Sequence, residues 1–412
     1  MPKRRFRRFA LFVALGVGFA LSLGLAAAWL AGRSLNHPSA SPAPSNGIFR
    51  TLAGAAAFRS GVMEGLAVDS SGALVLDATG RLGAGTDTAG VYNGGSYVFG
   101  TFVSPVFPSA VPVDEVVASW AADTPDGTWV EVKAAALVDA AWTKDYSLGV
   151  WASGTAVVKR HNSGRQADGA GWVDTDTLRL SRPASAVRLS ATLFSVDPGL
   201  TPRLRRLSVV ATGSSPVGDA GGAPAPYRRA WGVDLAVPER RQNDFPDGAG
   251  WCSPTSLSML MAFWARRTGT VAWDRSVPET AAGVTDYAYG GTGNWAFNTA
   301  YAAALGLDAY VTRFGSLADV ERWIAAGVPV AINIEFGPGQ LTGAPMPSTD
   351  GHVIVIRGFD RKGDPIANDP ASRADQGESV RIVYDRAQLE KAWQGRPRGT
   401  AYIIYPPGYP TP

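Results

Sequence analysis

The chain has 412 residues, of which 46% are hydrophobic and 13 are tryptophans, which is enough material for two or three packed domains. Its formal net charge is only +3, and part of that charge lies in an N-terminal cluster of Lys3, Arg4, Arg5, Arg7 and Arg8. Elsewhere no basic stripe is interleaved with aromatic residues, which argues against a nucleic-acid partner.

The N-terminal region has the pattern of a membrane-directed segment. Residues 9–32 are predominantly apolar and uncharged, a run longer than the core of an ordinary signal peptide and long enough to span a bilayer. Because the basic cluster precedes this run, the positive-inside rule leaves the cluster in the cytosol and exports the rest of the chain. Small residues such as Ala26, Ala27 and Ala28 also permit cleavage. We therefore predict that residues 1–32 are a signal peptide or a transmembrane anchor, and that the protein is secreted or tethered to the cytoplasmic membrane.

A Pro-, Ser- and Ala-rich linker, residues 33–48, precedes a region of β patterns at residues 49–212. Alternation of apolar and polar residues, and turn sequences such as Pro125-Asp126-Gly127, predict strands at 96–103, 111–121, 127–136, 151–159, 172–180, 186–194 and 204–211. Short strands at regular spacing, without a long helical pattern, favour an antiparallel β-sandwich or jelly roll.

The tryptophans of this β domain have two interpretations. They could stack on the sugar rings of a cell-wall glycan, or they could fill the core. The residues concerned are Trp120, Trp129, Trp142, Trp151 and Trp172. The sequence leaves glycan binding by this domain open.

A second linker, residues 213–226, leads into a C-terminal domain at 227–412 that mixes helical and strand patterns. Apolar residues recur at helical spacing from Leu257 to Trp264, and Gly269 stands where a helix would end. Ser316 and Asp319 resemble a capping box that opens a helix ending at Gly327. Further helices are predicted at 294–305 and 386–393, and strands at 328–336, 352–359, 366–368, 380–384 and 401–405. This order is typical of an α+β domain.

Cys252 is the only cysteine of the chain and directly begins the first of these predicted helices. The positive end of the helix dipole favours a thiolate over a thiol, which makes a cysteine nucleophilic near neutral pH. The alternative is a small buried hydrophobic residue. A single cysteine in an exported protein has no internal disulfide partner, so a reactive thiol becomes the more attractive interpretation.

A thiolate nucleophile needs a base, and histidine serves best near neutral pH. His352, after Gly351, is the only histidine in the C-terminal domain and is predicted to open a strand. His37 falls in the first linker, and His161 is interpreted as a surface residue because no cluster of metal ligands accompanies it.

The imidazole then needs an acceptor that fixes its orientation. Asp369 lies one hairpin further along, so two adjacent antiparallel strands could bring it beside His352. Asn368 is expected to point to the opposite face because side chains alternate along a strand. Asp350 and Asp360 are less attractive alternatives.

An oxyanion formed during acyl transfer needs hydrogen-bond donors. The backbone N–H of Cys252 could supply one, and the side-chain amide of Gln242, ten residues upstream, could supply the second. Trp251 could shape the pocket or only pack beside it.

The order and context of these residues resemble the papain-like cysteine peptidases akin to the bacteriocin-leader-processing peptidases, the peptidase C39-like family. The resemblance spans roughly residues 237–405 and rests on the segments 242–252, 293–298, 327–330, 351–352, 358–360, 368–370 and 392–393. It implies that Cys252 is the nucleophile, His352 the general base and acid, Asp369 the orienting carboxylate and Gln242 the oxyanion donor. One departure is Ser253, where the family commonly has glycine.

The leader-processing relatives are fused to a transporter with an ATP-binding domain, and no P-loop motif occurs in these 412 residues. A double-glycine leader is therefore not inferred as the substrate. The N-terminal β domain more loosely resembles the sandwich found ahead of such domains in exported bacterial proteins. We predict an exported cysteine peptidase that acts on a peptide or protein without metal or cofactor. A peptide- or cell-wall-binding protein without activity, and a non-peptidase acyl transferase or amidase, remain alternatives.

Overall fold

The computed structural model describes Pro44, residues 46–214 and residues 224–412. The predicted membrane-directed segment at 1–32, most of the linker at 33–48 and residues 215–223 of the second linker lie outside the described residues. Within the described ranges, no helix is both long enough and apolar enough to cross a membrane.

Residues 46–214 form a β-rich domain. Its strands are β1 (Gly47–Ala53), β2 (Val62–Glu64), β3 (Leu66–Val68), β4 (Leu74–Leu76), β5 (Gly83–Thr86), β6 (Ser96–Val103), β7 (Phe107–Asp123), β8 (Thr128–Val138), β9 (Ala141–Trp142), β10 (Tyr146–Trp151), β11 (Gly171–Asp174), β12 (Thr177–Ser195) and β13 (Arg203–Thr212), with a short helix α1 (Ala55–Arg59) after β1. The main hydrogen-bonded path runs β10-β8-β12-β7-β13-β4-β3. Strand β12 pairs with β6, β7, β8 and β11, and its register shifts along its length. This long strand therefore connects four neighbouring strands of the sheet.

The predicted strand at 151–159 is wrong, because β10 ends at Trp151. The chain beyond it bonds to side chains instead of a neighbouring strand. The Ser153 backbone N–H donates to Thr124 Oγ1, and the Arg160 guanidinium donates to the carbonyls of Ala152 and Ser153. These contacts satisfy the backbone N–H of Ser153 and the carbonyls of Ala152 and Ser153 without pairing to another strand. Alternation of apolar residues in the sequence gives no sign of such contacts.

The predicted strand at 172–180 is two strands joined by a tight turn. Strand β11 ends at Asp174, Thr175 has a left-handed φ of 55°, and β12 begins at Thr177. Asp174 and Thr177 face each other in the resulting hairpin. We call residues 172–177 the β11–β12 hairpin tip.

Core packing accounts for most of the tryptophans in this domain. Trp120, Trp129 and Trp151 are fully buried, and Trp142 is half-buried. Trp172, the first residue of the β11–β12 hairpin tip, has 39% of its surface exposed. Stacking on a ligand would therefore fall to Trp172 and to the accessible part of Trp142.

Residues 224–412 combine helices with an antiparallel six-stranded sheet. The helices are α2 (Cys252–Thr268), α3 (Val277–Val284), α4 (Trp295–Ala304), α5 (Leu317–Ala325) and α6 (Arg386–Gln394), with short 3-10 turns at Arg228–Ala230, Gln242–Asp244, Val271–Trp273 and Ala374–Gln376. The strands are β14 (Asp308–Arg313), β15 (Val330–Phe336), β16 (Thr349–Phe359), β17 (Pro365–Asn368), β18 (Arg381–Val383) and β19 (Thr400–Tyr405), in the order β14-β19-β15-β16-β17-β18. The predicted helix after Cys252 is confirmed, and Gly269 ends it in the left-handed conformation with φ 77°.

The capping box was predicted at the wrong helix. Ser316 precedes α5, but its side chain makes no capping hydrogen bond, and the Asp319 carboxylate accepts from the Gly315 backbone N–H instead. The capping box forms at α3, where Ser276 and Glu279 bond each other's backbone N–H groups. Helix α3 and strand β14 were not predicted.

The β-rich domain and the C-terminal domain belong to one compact unit and share their cores. The Phe297 side chain on α4 packs against Trp120 and Trp151 of the β domain, with ring centroids 6.1 and 5.5 Å away. A buried ion pair also joins Glu115 on β7 to Arg313 on β14, with an N–O distance of 2.7 Å. These contacts fix the β domain relative to the helices that precede the sheet.

We expect the two domains to unfold together, and Phe297 to be a principal contact. Replacing this fully buried ring by alanine should lower the free energy of unfolding by about 3–5 kcal/mol, because it removes apolar contacts and leaves a cavity. Urea unfolding of Phe297→Ala measures this loss. The matched control is Tyr289→Ala, whose ring is 53% exposed and which should change stability by about 0.5 kcal/mol or less. Equal effects of the two substitutions would contradict the shared core.

Candidate active site

Cys252 is the first residue of α2 and is half-buried. Trp251, the residue before the helix, provides no side-chain cap, so the backbone N–H groups of the first turn have no side-chain acceptor there. Pro254 fits the first turn because it needs no hydrogen-bond partner for a backbone N–H. The helix therefore directs its positive end toward the sulfur.

A buried hydrogen bond ties this helix to the strand that carries His352. Ser256, one turn after Cys252, donates from Oγ to the carbonyl of Val353 at 2.8 Å. Val353 directly follows His352 on β16. The contact sets the spacing between the thiol and the imidazole.

His352 is 2% exposed and lies within β16, paired with Ile334 of β15. The strand begins at Thr349, so the prediction that His352 opens the strand is wrong by three residues. A register shift between Ile334 and Phe336 extends the pairing past His352 toward Thr349. The imidazole Nε2 lies 2.8 Å from Asp369 Oδ1, which leaves Nδ1 for the Cys252 side chain.

Asp369 directly follows β17 and is 1% exposed. Besides the imidazole, its carboxylate accepts the Tyr384 hydroxyl at 2.7 Å and the Ala371 backbone N–H at 2.9 Å. With three donors around it, this carboxylate has one fixed orientation.

The other candidate acceptors lie elsewhere. Asp350 is exposed, and Asp360 accepts the backbone N–H groups of Lys362 and Asp364 in the turn after β16. Asn368 points to the opposite face, as alternation predicts, and its amide donates to the Val237 carbonyl. Of the acidic and amide residues considered, only Asp369 contacts the imidazole.

Gln242 begins a 3-10 turn and is buried. Its backbone N–H donates to the carbonyl of Pro370, next to Asp369, at 2.9 Å. Gly248 packs so closely that a Cβ there would lie 1.7 Å from the Gln242 carbonyl oxygen, and the Trp251 N–H donates to the Gly248 carbonyl. Successive turns thus fold residues 242–251 back toward Cys252. Gln242 Oε1 is buried without a hydrogen-bond partner among the described residues.

The electrostatics favour an ion pair between the sulfur and the imidazole. Burial raises the pKa of the Cys252 thiol, but His352 and the backbone N–H groups of Val353 and Ser253 outweigh it, so the pKa is lowered. Burial lowers the pKa of His352, and the charge and hydrogen bond of Asp369, with the contact to Cys252, raise it above its ordinary value. Burial likewise raises the pKa of Asp369, and the His352 charge leads the effects that lower it overall.

Ser253, where the resembling family commonly has glycine, has a partner in this fold. Its Oγ lies 2.9 Å from the Tyr402 hydroxyl, and both residues are buried. The departure therefore adds a helix-to-sheet contact directly after Cys252.

Two residues of this constellation were missed by the sequence analysis. Tyr384 was assigned only to a predicted strand, and Ser256 only to a predicted helix. Neither has a motif of its own, and both act through contacts between segments distant in sequence. In the described parts of the chain, no group of three or more His, Cys, Asp or Glu side chains could hold a metal ion.

Two family models match this chain. The family model described as Peptidase_C39 like family matches residues 234–400, and the model described as Peptidase C39 N-terminal domain matches residues 49–212. The C-terminal domain belongs to the peptidase C39-like family. The resemblance seen in the sequence is thus confirmed, with a β-rich domain ahead of a C-terminal C39-like domain. Membership of this family suggests a cysteine peptidase.

No curated protein sequence matches this C39-like chain. One solved structure that does match is the CBM22-1–GH10 portion of endo-1,4-beta-D-xylanase 10B from Clostridium thermocellum, determined with xylohexaose. The identity is 14% and the TM-score 0.18, and the match covers 42% of this chain and 32% of that chain. At that TM-score, the likeness carries no argument about fold or ligand.

Tyr384 should stabilise the ionised form of Asp369. Tyr384→Phe should lower the free energy of unfolding at pH 7 by about 1.5–3 kcal/mol, the usual contribution of a hydrogen bond to a charged group. Because Tyr384 is among the groups that lower the pKa of Asp369, its contribution is present above about pH 4, the pKa of an unfolded aspartate. It is lost as pH falls through the lower pKa of the folded carboxyl group.

Urea unfolding at pH 7, and then at decreasing pH while both proteins remain folded, measures this difference. The control is Tyr409→Phe, whose hydroxyl contacts the Arg267 guanidinium and the Ala326 carbonyl and no carboxylate. The loss in the control should not depend on Asp369 ionisation. A Tyr384→Phe loss at pH 7 no larger than that of the control would refute the assignment.

Proposed function

We propose that this chain is an exported cysteine peptidase that hydrolyses peptide bonds through an acyl-enzyme on Cys252. The observation that supports the proposal is the buried hydrogen bond of 2.8 Å between His352 Nε2 and Asp369 Oδ1, together with the half-buried Cys252, where burial raises the thiol pKa but His352 leads the effects that lower it overall. A thiol at a helix N-terminus beside an imidazole that is held by a carboxylate is the arrangement that activates a cysteine nucleophile.

The surrounding architecture supports a papain-like α+β fold. The helix that begins with Cys252 packs against the antiparallel sheet whose strand β16 carries His352. The nucleophile and the base thus come from two different layers, and a substrate cleft between the layers would give access to both.

In the proposed reaction, the Cys252 thiolate attacks the carbonyl carbon of the scissile peptide bond and forms a C–S bond. The carbonyl electrons move onto oxygen, where the backbone N–H of Cys252 and the Gln242 amide would donate hydrogen bonds. The C–N bond then breaks as the His352 imidazolium gives its proton to the leaving amine. Water attacks the thioester, His352 accepts the water proton, and the acid product leaves with the thiolate restored.

Gln242 suits the oxyanion role because it is buried and its side chain carries amide N–H donors. No described residue bonds its side-chain oxygen, and its backbone is fixed by Pro370. In the proposed role the donor is the N–H₂ end of this amide, since the amide oxygen can only accept.

The extracytoplasmic location remains part of the proposal and rests on residues 1–32. If that segment is not cleaved, residues 9–32 would anchor the protein in the membrane. A cell-wall glycan contact would use Trp172 or Trp142, since the other β-domain tryptophans are buried.

The test is cleavage of a peptide library by the exported portion and its variants. Cys252→Ala should abolish turnover, and His352→Ala should reduce kcat by about as much, because residues that act as a unit do not contribute additively. Asp369→Asn should impair kcat more than its matched control Asp350→Asn, which removes an exposed carboxylate. Gln242→Ala should reduce kcat by about 10²–10³-fold, as for loss of an oxyanion donor.

Cleavage that survives Cys252→Ala would refute the nucleophile. A His352→Ala variant with nearly wild-type kcat would refute the pairing of Cys252 with His352. If Asp350→Asn lowered kcat more than Asp369→Asn, the orienting role would not belong to Asp369. If the wild type cleaves no peptide, turnover of simple amides and esters tests for an amidase or acyl transferase. If the protein turns over neither peptides nor these simple substrates, a binding function is the remaining alternative.

A further inference from the structure

The β-rich domain contains a second concave site. A cavity of about 410 Å³ is lined by residues of the β domain: Asn162, Gly164, Arg165, Trp172, Val173, Asp174 and Thr175. This volume is in the range of pockets that hold a ligand or a few side chains of a peptide. Nothing in the proposed reaction uses it.

The loop that forms one wall of the cavity is bonded to the C-terminal domain. The Asn162 backbone N–H donates to Asp286 Oδ1 at 3.0 Å, and the other oxygen of that carboxylate accepts from the Asn294 side chain at 2.9 Å. Thr292, in the same segment, donates from Oγ1 to the carbonyl of Gly250, two residues before Cys252, at 3.1 Å. A short series of contacts thus joins this wall to the start of α2.

The β11–β12 hairpin tip forms the other wall and approaches Cys252 by a second route. Its buried Asp176 accepts the backbone N–H of Trp295 at the start of α4. Burial is the main cause of the raised pKa of Tyr402, and the charges of Asp176 and Cys252 both add to it. Tyr402 in turn contacts Ser253, so the hairpin tip and the candidate nucleophile lie near the same tyrosine.

Two side chains give the cavity its chemical character. Trp172 is the only exposed tryptophan in the described parts of the chain. Arg165 is exposed and makes no hydrogen bond or ion pair with any described residue. The carboxylate of Asp174, which also lines the cavity, is paired with Arg179 at 3.5 Å.

We infer that this cavity is a substrate subsite that binds a segment of the peptide outside the scissile bond, with Arg165 pairing to an acidic side chain and Trp172 packing on its apolar part. The inference rests on the proposed function. An unpaired guanidinium beside an exposed aromatic ring suits a carboxylate on an aliphatic stem. Because the β domain shares its core with α4, the subsite keeps a fixed distance from Cys252. The acidic side chain should therefore lie a fixed number of residues from the scissile bond.

The experiment has a cleavage arm and a binding arm. In the first, the full exported portion cleaves peptides randomised on both sides of the scissile bond, and the products are sequenced. The wild type should prefer Glu or Asp over Gln or Asn at one position remote from the bond. Arg165→Gln should lose that preference, with kcat/KM for the acidic peptide reduced about tenfold, equivalent to about 1.4 kcal/mol. Trp172→Ala should weaken the same peptide through KM, and short peptides that do not reach the cavity should be cleaved normally by both variants.

The matched control is Arg182→Gln, an exposed arginine of the same domain that is paired with Asp139 and lines no part of the cavity. It should keep the wild-type preference. In the binding arm, the Cys252→Ala protein is titrated with the acidic peptide and its Gln analogue, with and without Arg165→Gln.

Cleavage with the same profile in wild type and Arg165→Gln would overturn the subsite and leave the proposed function intact. If no peptide is cleaved by the wild type, the proposed function fails and the binding arm decides. Acidic-peptide binding that depends on Arg165 would then support the cavity as a peptide site, and its absence would overturn it.

Discussion

The site depends on the packing of helix α2 against strand β16. Cys252 begins the helix and His352 lies in the strand, so neither residue can meet the other until the two elements dock. The buried hydrogen bond from Ser256 to Val353 spans 97 residues of sequence and lies one turn from the thiol and one residue from the imidazole. A displacement at this contact would separate the two groups, and orientation of this kind contributes much of the catalytic effect of an enzyme.

Burial strengthens the electrostatic interaction between His352 and Asp369. His352 and Asp369 expose 2% and 1% of their surfaces, so neither charge is stabilised by water. An unpaired charge there would be costly, and each group is stabilised by its neighbour instead. The Tyr384 hydroxyl completes the arrangement at the far oxygen of Asp369. The β-rich domain packs against the C-terminal domain through Phe297, which extends from α4 into the core of the β domain.

Much of this could be predicted from the sequence where the information is local. The helix at Cys252–Thr268 is indicated by apolar spacing and Gly269, and Gln242, Cys252, His352 and Asp369 occur in an order that a known family shares. The features that could not be predicted depend on contacts between distant segments. Where a strand was expected at 151–159, the Arg160 side chain bonds the carbonyls of Ala152 and Ser153. At Ser316 no capping box forms, and the Asp319 carboxylate accepts the Gly315 backbone N–H instead. Tyr384 has no sequence signal, since its role exists only after β18 lies beside β17.

The measurement that tests the central claim most directly is the alkylation rate of Cys252 from about pH 4 to pH 10, in the wild type and in His352→Ala. An unperturbed thiol becomes reactive only as pH approaches about 8.5. Because the pKa of Cys252 is lowered and that of His352 raised, we predict reactivity that persists well below pH 7 in the wild type and is lost in the variant. A single rise near pH 8.5 that is indifferent to His352 would contradict the thiolate–imidazolium pair.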